Sequence, residues 1–221
     1  MPSALSTAQG AFPAAPKRAA ATIVERRRSR RPNQRRLVFV KMRRIVSAMI
    51  AALTLATAAC AADVALTSIG QGPDAMMVKV VMRALKVTPD YDALMRPEAL
   101  QNQKVLVAVV GGSSKGLGAA GIDKEEEVAR AKALLDAAAK KGVKVLIMHV
   151  GGEGRRGTLS DLFINAAAPY ADGMIVVDGG NSDGLFNKYA DERKIVIQTA
   201  PNVKGTKEPL GKLLADWNAA Q

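Results

Sequence analysis

The chain of 221 residues has few of the side chains that most often bind metals or form disulfides. It contains one cysteine, Cys60, and one histidine, His149. A single cysteine excludes an intramolecular disulfide framework, and a lone histidine with no cysteine after residue 60 argues against a zinc site. No apolar run reaches the roughly 20 residues that a transmembrane helix needs. The sequence therefore predicts neither a metal site nor a membrane-spanning segment in the mature chain.

Acidic residues are almost missing from the N-terminal segment. Residues 1–44 hold 12 of the 32 lysines and arginines but only one of the 20 acidic residues, which leaves 20 basic and 19 acidic residues for the rest of the chain. Nearly all of the net charge of +12 therefore lies in this segment. Nucleic-acid binding is not predicted, because it needs clustered basic charge on the folded domain itself.

The basic segment leads into a pattern typical of export. Arg43 and Arg44 precede an apolar run over residues 45–59 and the small residues around Cys60. We interpret residues 42–62 as a signal peptide and expect a periplasmic or other extracytoplasmic location. Residues 1–41 have little to bury and are predicted to be a disordered basic extension, upstream of a true start at Met42.

Two alternatives concern this leader. Arg35 and Arg36 followed by apolar residues resemble a twin-arginine signal, although the spacing is imperfect. Cys60 is either a lipid-attachment site, which would make the protein a lipoprotein, or part of an ordinary cleavage site that leaves a mature chain from about Ala62. We favour soluble export because Thr57 stands where lipoprotein signals usually have leucine.

Residues 63–221 are predicted to form one α/β domain. Short apolar runs rich in valine and isoleucine do not alternate with polar residues, as expected for parallel strands covered on both faces. These predicted strands are at residues 64–69, 104–110, 143–150, 174–177 and 195–197, with a short edge strand within 87–100. Helical patterns separate them, so we predict a doubly wound, mostly parallel sheet in a three-layer sandwich. The strand order is either flavodoxin-like (2-1-3-4-5, with the last strand beyond) or Rossmann-like.

Two helices have clear sequence signals. Asp123 and Glu126 form the pattern of a capping box, and Gly142 supplies a left-handed end. An earlier helix is expected to begin at Pro73. The residues expected on its buried face are Met76, Met77, Val80, Val81 and Leu85. Further helices are predicted over residues 159–168, 183–192 and 210–217.

Glycine-rich turns follow four of the predicted strands, where open α/β sheets bind ligands. Hydroxyl groups, arginines and backbone amides in these turns suit a carboxylate or phosphate. We therefore predict a site for a small anionic ligand. Its predicted residues are Gln71, Gly111, Gly112, Ser113, Ser114, Lys115, His149, Gly152, Arg155, Arg156 and Asn181. Of the two arginines, at least one is expected to be structural, and His149 fits a hydrogen-bonded core histidine better than a ligand contact.

Other site types are less consistent with the sequence. The run from Gly111 to Gly118 resembles a dinucleotide fingerprint, but it does not follow the first strand, and a helix is expected only from Asp123. No Tyr-x-x-x-Lys pair accompanies it, and no P-loop is present. We therefore predict no cofactor. A calcium site from Asp178, Asn181 and Asp183 lacks EF-hand spacing.

Several segments together resemble an uncharacterised family of exported bacterial proteins. They are residues 67–71 (TSIGQ), 111–123 (GGSSKGLGAAGID), His149 with 151–152 and 155–157 (an HxGGxxRRG motif), and 183–186 (DGLF). The resemblance implies export and a single compact domain, and no activity.

Two main functions follow from the site residues. The first is an exported binding domain for an anionic metabolite, which it passes to a membrane transporter or receptor. The second is an enzyme acting on a carboxylated or phosphorylated substrate, with His149 or Glu153 as general acid or base. A partner-binding scaffold is a third interpretation, and a large exposed apolar patch would be its sign.

Overall fold

Six strands form one sheet in which every neighbouring pair is parallel. They are β1 (Val64–Ile69), β2 (Asp90–Tyr91), β3 (Val105–Val110), β4 (Lys144–His149), β5 (Gly173–Val177) and β6 (Ile197–Ala200). Their order across the sheet is β2-β1-β3-β4-β5-β6. This computed structural model describes residues 62–219. The predicted extension over residues 1–41 and the signal segment up to residue 61, including Cys60, lie outside the described residues.

Helices cover both faces of the sheet. They are α1 (Asp74–Ala84), α2 (Ser114–Ala120), α3 (Lys124–Lys141), α4 (Thr158–Ala167), α5 (Leu185–Arg193) and α6 (Lys207–Asp216). α1 and α6 pack against one face, where they share a core with Leu66, Val107 and Met148. α3, α4 and α5 pack against the other face, around Leu106, Ile147 and Met174. The predicted three-layer, doubly wound parallel fold is confirmed.

The strand order decides between the two predicted topologies. β1 lies between β2 and β3, and the remaining strands follow in sequence order, which is the flavodoxin-like arrangement. β1, β3 and β5 are buried along their whole length, which explains their uninterrupted apolar sequences. The order reverses between β1 and β3, so the crevice that a ligand uses in such folds is expected at their carboxyl ends.

α3 has the ends that its sequence predicts. Asp123 accepts a hydrogen bond from the Glu126 amide, while the Glu126 side chain accepts one from the Asp123 amide. Gly142 ends the helix in the left-handed conformation. The negative charges of the first turn and the lysines of the last turn both interact favourably with the helix dipole.

Two helix predictions were wrong. Met76, Met77 and Val80 are exposed on α1, and the residues that face the sheet are Ala75, Val78, Val81 and Met82. A helix also begins directly after the glycine turn that follows β3: α2 starts at Ser114, nine residues before the expected start at Asp123. Gly116 and Gly118 lower the helix propensity of this segment, so its sequence does not indicate a helix.

None of the helices within residues 62–219 is long and apolar enough to cross a bilayer.

Candidate functional site

The turns after β1, β3, β4 and β5 lie at the same edge of the sheet, because parallel strands all end on one side. A backbone bridge joins Gln71 to Gly112, which connects the turns after β1 and β3. The turns after β4 and β5 also meet: a Cβ atom built on Gly152 would lie 3.1 Å from the carbonyl oxygen of Asp178. The structure thus brings the four glycine-containing turns together in a continuous rim.

Asp74 lies between these turns, where the strand order reverses and a ligand crevice is expected. It is the first residue of α1 and only 5% exposed, and its Oδ2 atom has no hydrogen-bond partner within residues 62–219. Three glycines from three turns surround this oxygen. Cβ atoms built on Gly72, Gly111 and Gly151 would lie 3.6, 3.3 and 3.2 Å from it. The crevice therefore contains a buried carboxylate with an unused acceptor, which sequence reasoning did not single out.

Arg155 lies beside this carboxylate at the end of a short 3₁₀ turn. Its Nε is 3.8 Å from Asp74 Oδ2, which is too long for a hydrogen bond, and its side chain is 37% exposed. The aliphatic part of the side chain covers Gly151, where an added Cβ would collide with it. Within residues 62–219, the Arg155 side chain donates no hydrogen bond. Its N–H donors are available to a ligand.

Arg156 is held by its neighbours. Its Nε donates to Asp161 at 3.0 Å, and its two terminal nitrogens donate to Asp183 and to the carbonyl of Gly180. Four of the five guanidinium N–H groups are engaged in this way. The hydrogen bond from Arg156 lowers the pKa of the Asp183 carboxyl to about 2, and the same bond raises the pKa of Arg156. Arg156 joins the turns after β4 and β5 and has little capacity left for a ligand.

His149 is enclosed beneath the rim. The side chain is fully buried, with Nδ1 3.0 Å from the Val110 carbonyl oxygen and Nε2 3.2 Å from that of Gly152. Its ring also packs against Phe186, with the centroids 5.6 Å apart. A neutral imidazole carries a single N–H and can donate to only one of the two carbonyls. Both nitrogens face backbone oxygens, so neither is directed at the crevice.

Gln71 also uses its side chain internally. Its Nε2 donates to the Ala93 carbonyl and to Glu127 Oε1, both at 3.0 Å. Both donors of the amide are occupied, so the side chain offers a ligand no free N–H. Gln71 has a positive φ of 56°, and these bonds hold that turn conformation.

Glu127 and Arg130, which the sequence analysis did not select, fix the turn after β1. Glu127 is fully buried and accepts bonds from the Gly70 amide and from two nitrogens of Arg130. Arg130 also donates to the carbonyls of Ser68 and Met95, each at 2.7 Å. This network holds the backbone immediately before Asp74 in place. The i, i+3 spacing of an acid and an arginine was the only sequence signal for it.

Ser113, Ser114 and Lys115 form the start of α2. Ser113 Oγ accepts a hydrogen bond from the Gly116 amide at 3.0 Å and caps the helix. Ser114 and Lys115 are exposed. The Gly112 amide donates to Ser160 Oγ at 2.9 Å, which ties this turn to α4. Of this group, Lys115 retains a charged donor at the surface.

The same turn contains a Gly-x-Ser-x-Gly pattern, formed by Gly112, Ser114 and Gly116, that sequence reasoning missed. In hydrolases with this pattern, the central serine lies on a strained turn next to a histidine base. Here Ser114 lies in the first turn of α2 and is not among the residues with a positive φ. His149 is buried between backbone carbonyls. The geometry therefore gives no catalytic triad among the described residues.

The remaining predicted residues lie near β5, at the far side of the rim. The Asn181 side chain donates to Asn187 and accepts from the Phe186 amide, so it ties the turn after β5 to the start of α5. Glu153 is exposed. Asp183 is paired with Arg156, and residues 62–219 contain no group of three or more potential metal ligands among His, Cys, Asp and Glu. The contacts favour structural roles for Asn181 and Asp183.

Comparisons with known proteins give a family and distant structural likenesses. Two solved structures are similar over 71% of this chain and 93% of theirs: a mutant of the esterase AlinE4, at 10% identity and a TM-score of 0.27, and AlinE4, a SGNH-hydrolase family esterase, at 12% and 0.26. No curated protein matches the sequence. Residues 61–214 match the family described as "Domain of unknown function (DUF6305)". The chain therefore belongs to the DUF6305 family.

Proposed function

We propose that the domain after the leader is an exported binding domain that holds a small anionic metabolite at the carboxyl edge of its sheet. The observation that carries this proposal is that the Arg155 side chain donates no hydrogen bond within residues 62–219. Its guanidinium is partly exposed, and among residues 62–219 its only polar contact is the 3.8 Å one with Asp74. Free guanidinium donors suit a carboxylate or phosphate. Lys115, exposed in the first turn of α2, adds positive charge to the same rim.

Export is supported by the N-terminal sequence. Basic residues, the short apolar run over residues 45–59 and small residues around Cys60 are typical of a signal peptide. The family match begins at residue 61, next to the predicted cleavage region. An exported binder would deliver its ligand to a membrane transporter or receptor, which is the partner that we propose.

Binding is favoured over catalysis by the side chains proposed as acid or base. His149 is fully buried with both ring nitrogens on backbone carbonyls, and Glu153 lies exposed on the rim. A general acid or base has to reach the proton that it transfers. Neither side chain lies in the crevice beside Asp74.

Thermal denaturation of the purified protein with acetate, succinate and inorganic phosphate tests the proposal. A ligand at about 100 times its Kd stabilises the folded state by about 2.7 kcal/mol, and each kcal/mol raises the Tm by roughly 2–4 °C at this size. We expect at least one of these anions to raise the Tm, and Arg155→Ala to abolish the shift. Lys132→Ala is the matched control, because Lys132 is an exposed cation on α3.

Two outcomes of this experiment would contradict the proposal. If Arg155→Ala and Lys132→Ala respond to every anion as the unmodified protein does, the crevice is not the anion site. A shift lost equally in both variants would point to net charge and not to Arg155.

A further inference from the structure

The carboxylate of Asp74 is buried without the hydrogen bonds that such a group normally has. Buried polar atoms nearly always have a hydrogen-bond partner. The free-energy cost of burial without a partner is larger for an ionised carboxylate than for a neutral group. Asp74 Oδ2 is buried and has no partner within residues 62–219. The nearest cation, Arg155, is 3.8 Å away and not hydrogen-bonded to it. The oxygen therefore has an acceptor that no donor within residues 62–219 uses.

Glycines from three turns approach this oxygen, and the side chain of Arg155 covers it on the side of Gly151. Gly72, Gly111 and Gly151 come from three different turns, and a Cβ on any of them would reach within 3.6 Å of Oδ2. Gly111 is especially informative, because within residues 62–219 Asp74 Oδ2 is the one atom outside its own turn that its Cβ would approach within 4 Å. At Gly72 and Gly151 the Cβ position is occupied by the Gly111 carbonyl and by the Arg155 side chain, so Gly111 is the side on which the carboxylate is least crowded.

We infer that Asp74 is a ligand-binding residue that accepts a hydrogen bond from an α-hydroxy or α-amino acid. The inference rests on the proposed binding function, in which Arg155 holds the anionic group. Arg155 Nε and Asp74 Oδ2 are only 3.8 Å apart, so one small molecule contacts both when its donor and its anionic group are on adjacent carbons. A simple carboxylate has no donor and would set its own oxygens against Oδ2.

Propionate, lactate and alanine form a matched set of probes, because they share one carbon skeleton and differ only in the group on the second carbon. Calorimetric titration of the purified protein is expected to show lactate or alanine binding about tenfold or more tightly than propionate, the usual effect of a hydrogen bond to a charged group. Asp74→Ala should remove this preference. Asp74→Asn keeps an acceptor oxygen and loses the charge, so it should reduce alanine binding more than lactate binding.

A second variant tests the site without changing the carboxylate. Gly111→Ala adds a methyl group 3.3 Å from Oδ2 and should weaken lactate and alanine binding more than propionate binding. Gly118→Ala is the control, because its Cβ meets nothing within 4 Å. Circular dichroism of each variant reports whether the fold is retained.

The outcomes separate the two proposals. Equal affinities for the three probes, no binding of any at millimolar concentration, or an unchanged preference in Asp74→Ala and Gly111→Ala would overturn the inference about the ligand class. Anion binding that still depends on Arg155 would then leave the proposed function standing. Binding that is unaffected by Arg155→Ala would overturn the proposed function instead.

Discussion

At the scale of single residues, the ion pair between Glu127 and Arg130 fixes the turn before Asp74. Its side chains are 0% and 7% exposed, and Glu127 accepts bonds from the Gly70 amide and from Gln71 as well. Glu127→Ala leaves a buried arginine without its counter-charge. Breaking a buried pair in this way costs about 3–5 kcal/mol, so we expect a loss of this size in urea denaturation.

Glu125 is the control for this prediction, because it is an acid of the same helix turn whose side chain is 71% exposed. Glu125→Ala should change the free energy of unfolding by no more than about 0.5 kcal/mol. Similar losses for the two variants would show that the helix dipole, and not the buried network, explains the effect.

The pair of Asp183 and Arg156 predicts an acid-dependent contribution to stability. Arg156 lowers the pKa of Asp183 from 3.8 to about 2 in the folded state. A depressed folded pKa stabilises the protein above 3.8, and the contribution is lost as the pH falls through about 2. The Asp183 side chain is 55% exposed, so screening limits the contribution to about 1 kcal/mol or less. Asp183→Asn should lower the Tm at neutral pH.

The pH profile is the measurement that checks this pair. The difference in Tm between Asp183→Asn and the unmodified protein should shrink as the pH falls from neutral towards 2. A difference that stays constant over this range would mean that the charge of Asp183 is not what stabilises the contact.

Arg155 and Arg156 illustrate what sequence can predict at this scale. They are adjacent and chemically identical, and the sequence indicated only that at least one is structural. Arg156 is the structural one because Asp161 and Asp183 reach it, whereas Asp74 is the only acid near Arg155 in the part of the chain that the structure describes. Asp74 and Asp183 are far away in sequence on either side, so no local pattern distinguishes the two arginines. Asp74 itself resembles an ordinary first-turn acid of a helix.

At the scale of elements, α1 shows why a correct helix was assigned the wrong face. Apolar residues occupy most of its surface and only Lys79 and Arg83 mark a polar side, so the apolar stripe in the sequence is wider than the buried face. The residues that face the sheet are Ala75, Val78, Val81 and Met82, whereas Val80 is 62% exposed. α3 was predicted well because its caps and charges are local signals. α2 was not predicted because its stability comes from the Ser113 cap and from packing on the turn after β1.

Substitutions on the two faces of α1 test this assignment. Met82→Ala removes a fully buried side chain and should cost about 2–5 kcal/mol in urea denaturation. Met77→Gln and Val80→Gln change exposed positions and should each stay within about 0.5 kcal/mol. If the glutamine variants are the more destabilised, the helix presents its other face to the sheet.

At the scale of the whole molecule, the sequence predicted the sheet because each buried parallel strand forms a continuous apolar run. The order around β1 was correct as one of two alternatives, and the last strand was placed about two residues too early, at 195–197 instead of Ile197–Ala200. β6 is an edge strand and half-exposed, so its apolar pattern is weaker. The meeting of the four turns could be predicted from the topology of the sheet. Whether each hydrogen-bond donor in the turns is free or occupied depends on residues distant in the sequence, so it could not be predicted.

The most direct measurement of the central claim is an NMR titration of the purified protein with lactate. Our expectation is that the Nε–H resonance of Arg155 and the amide resonances of Gly72, Gly111 and Gly151 shift together and saturate with a single Kd, and that Arg155→Ala abolishes the shifts of the three glycine amides. Resonances that change only elsewhere, such as along α6, or shifts at the crevice that persist in Arg155→Ala, would contradict it.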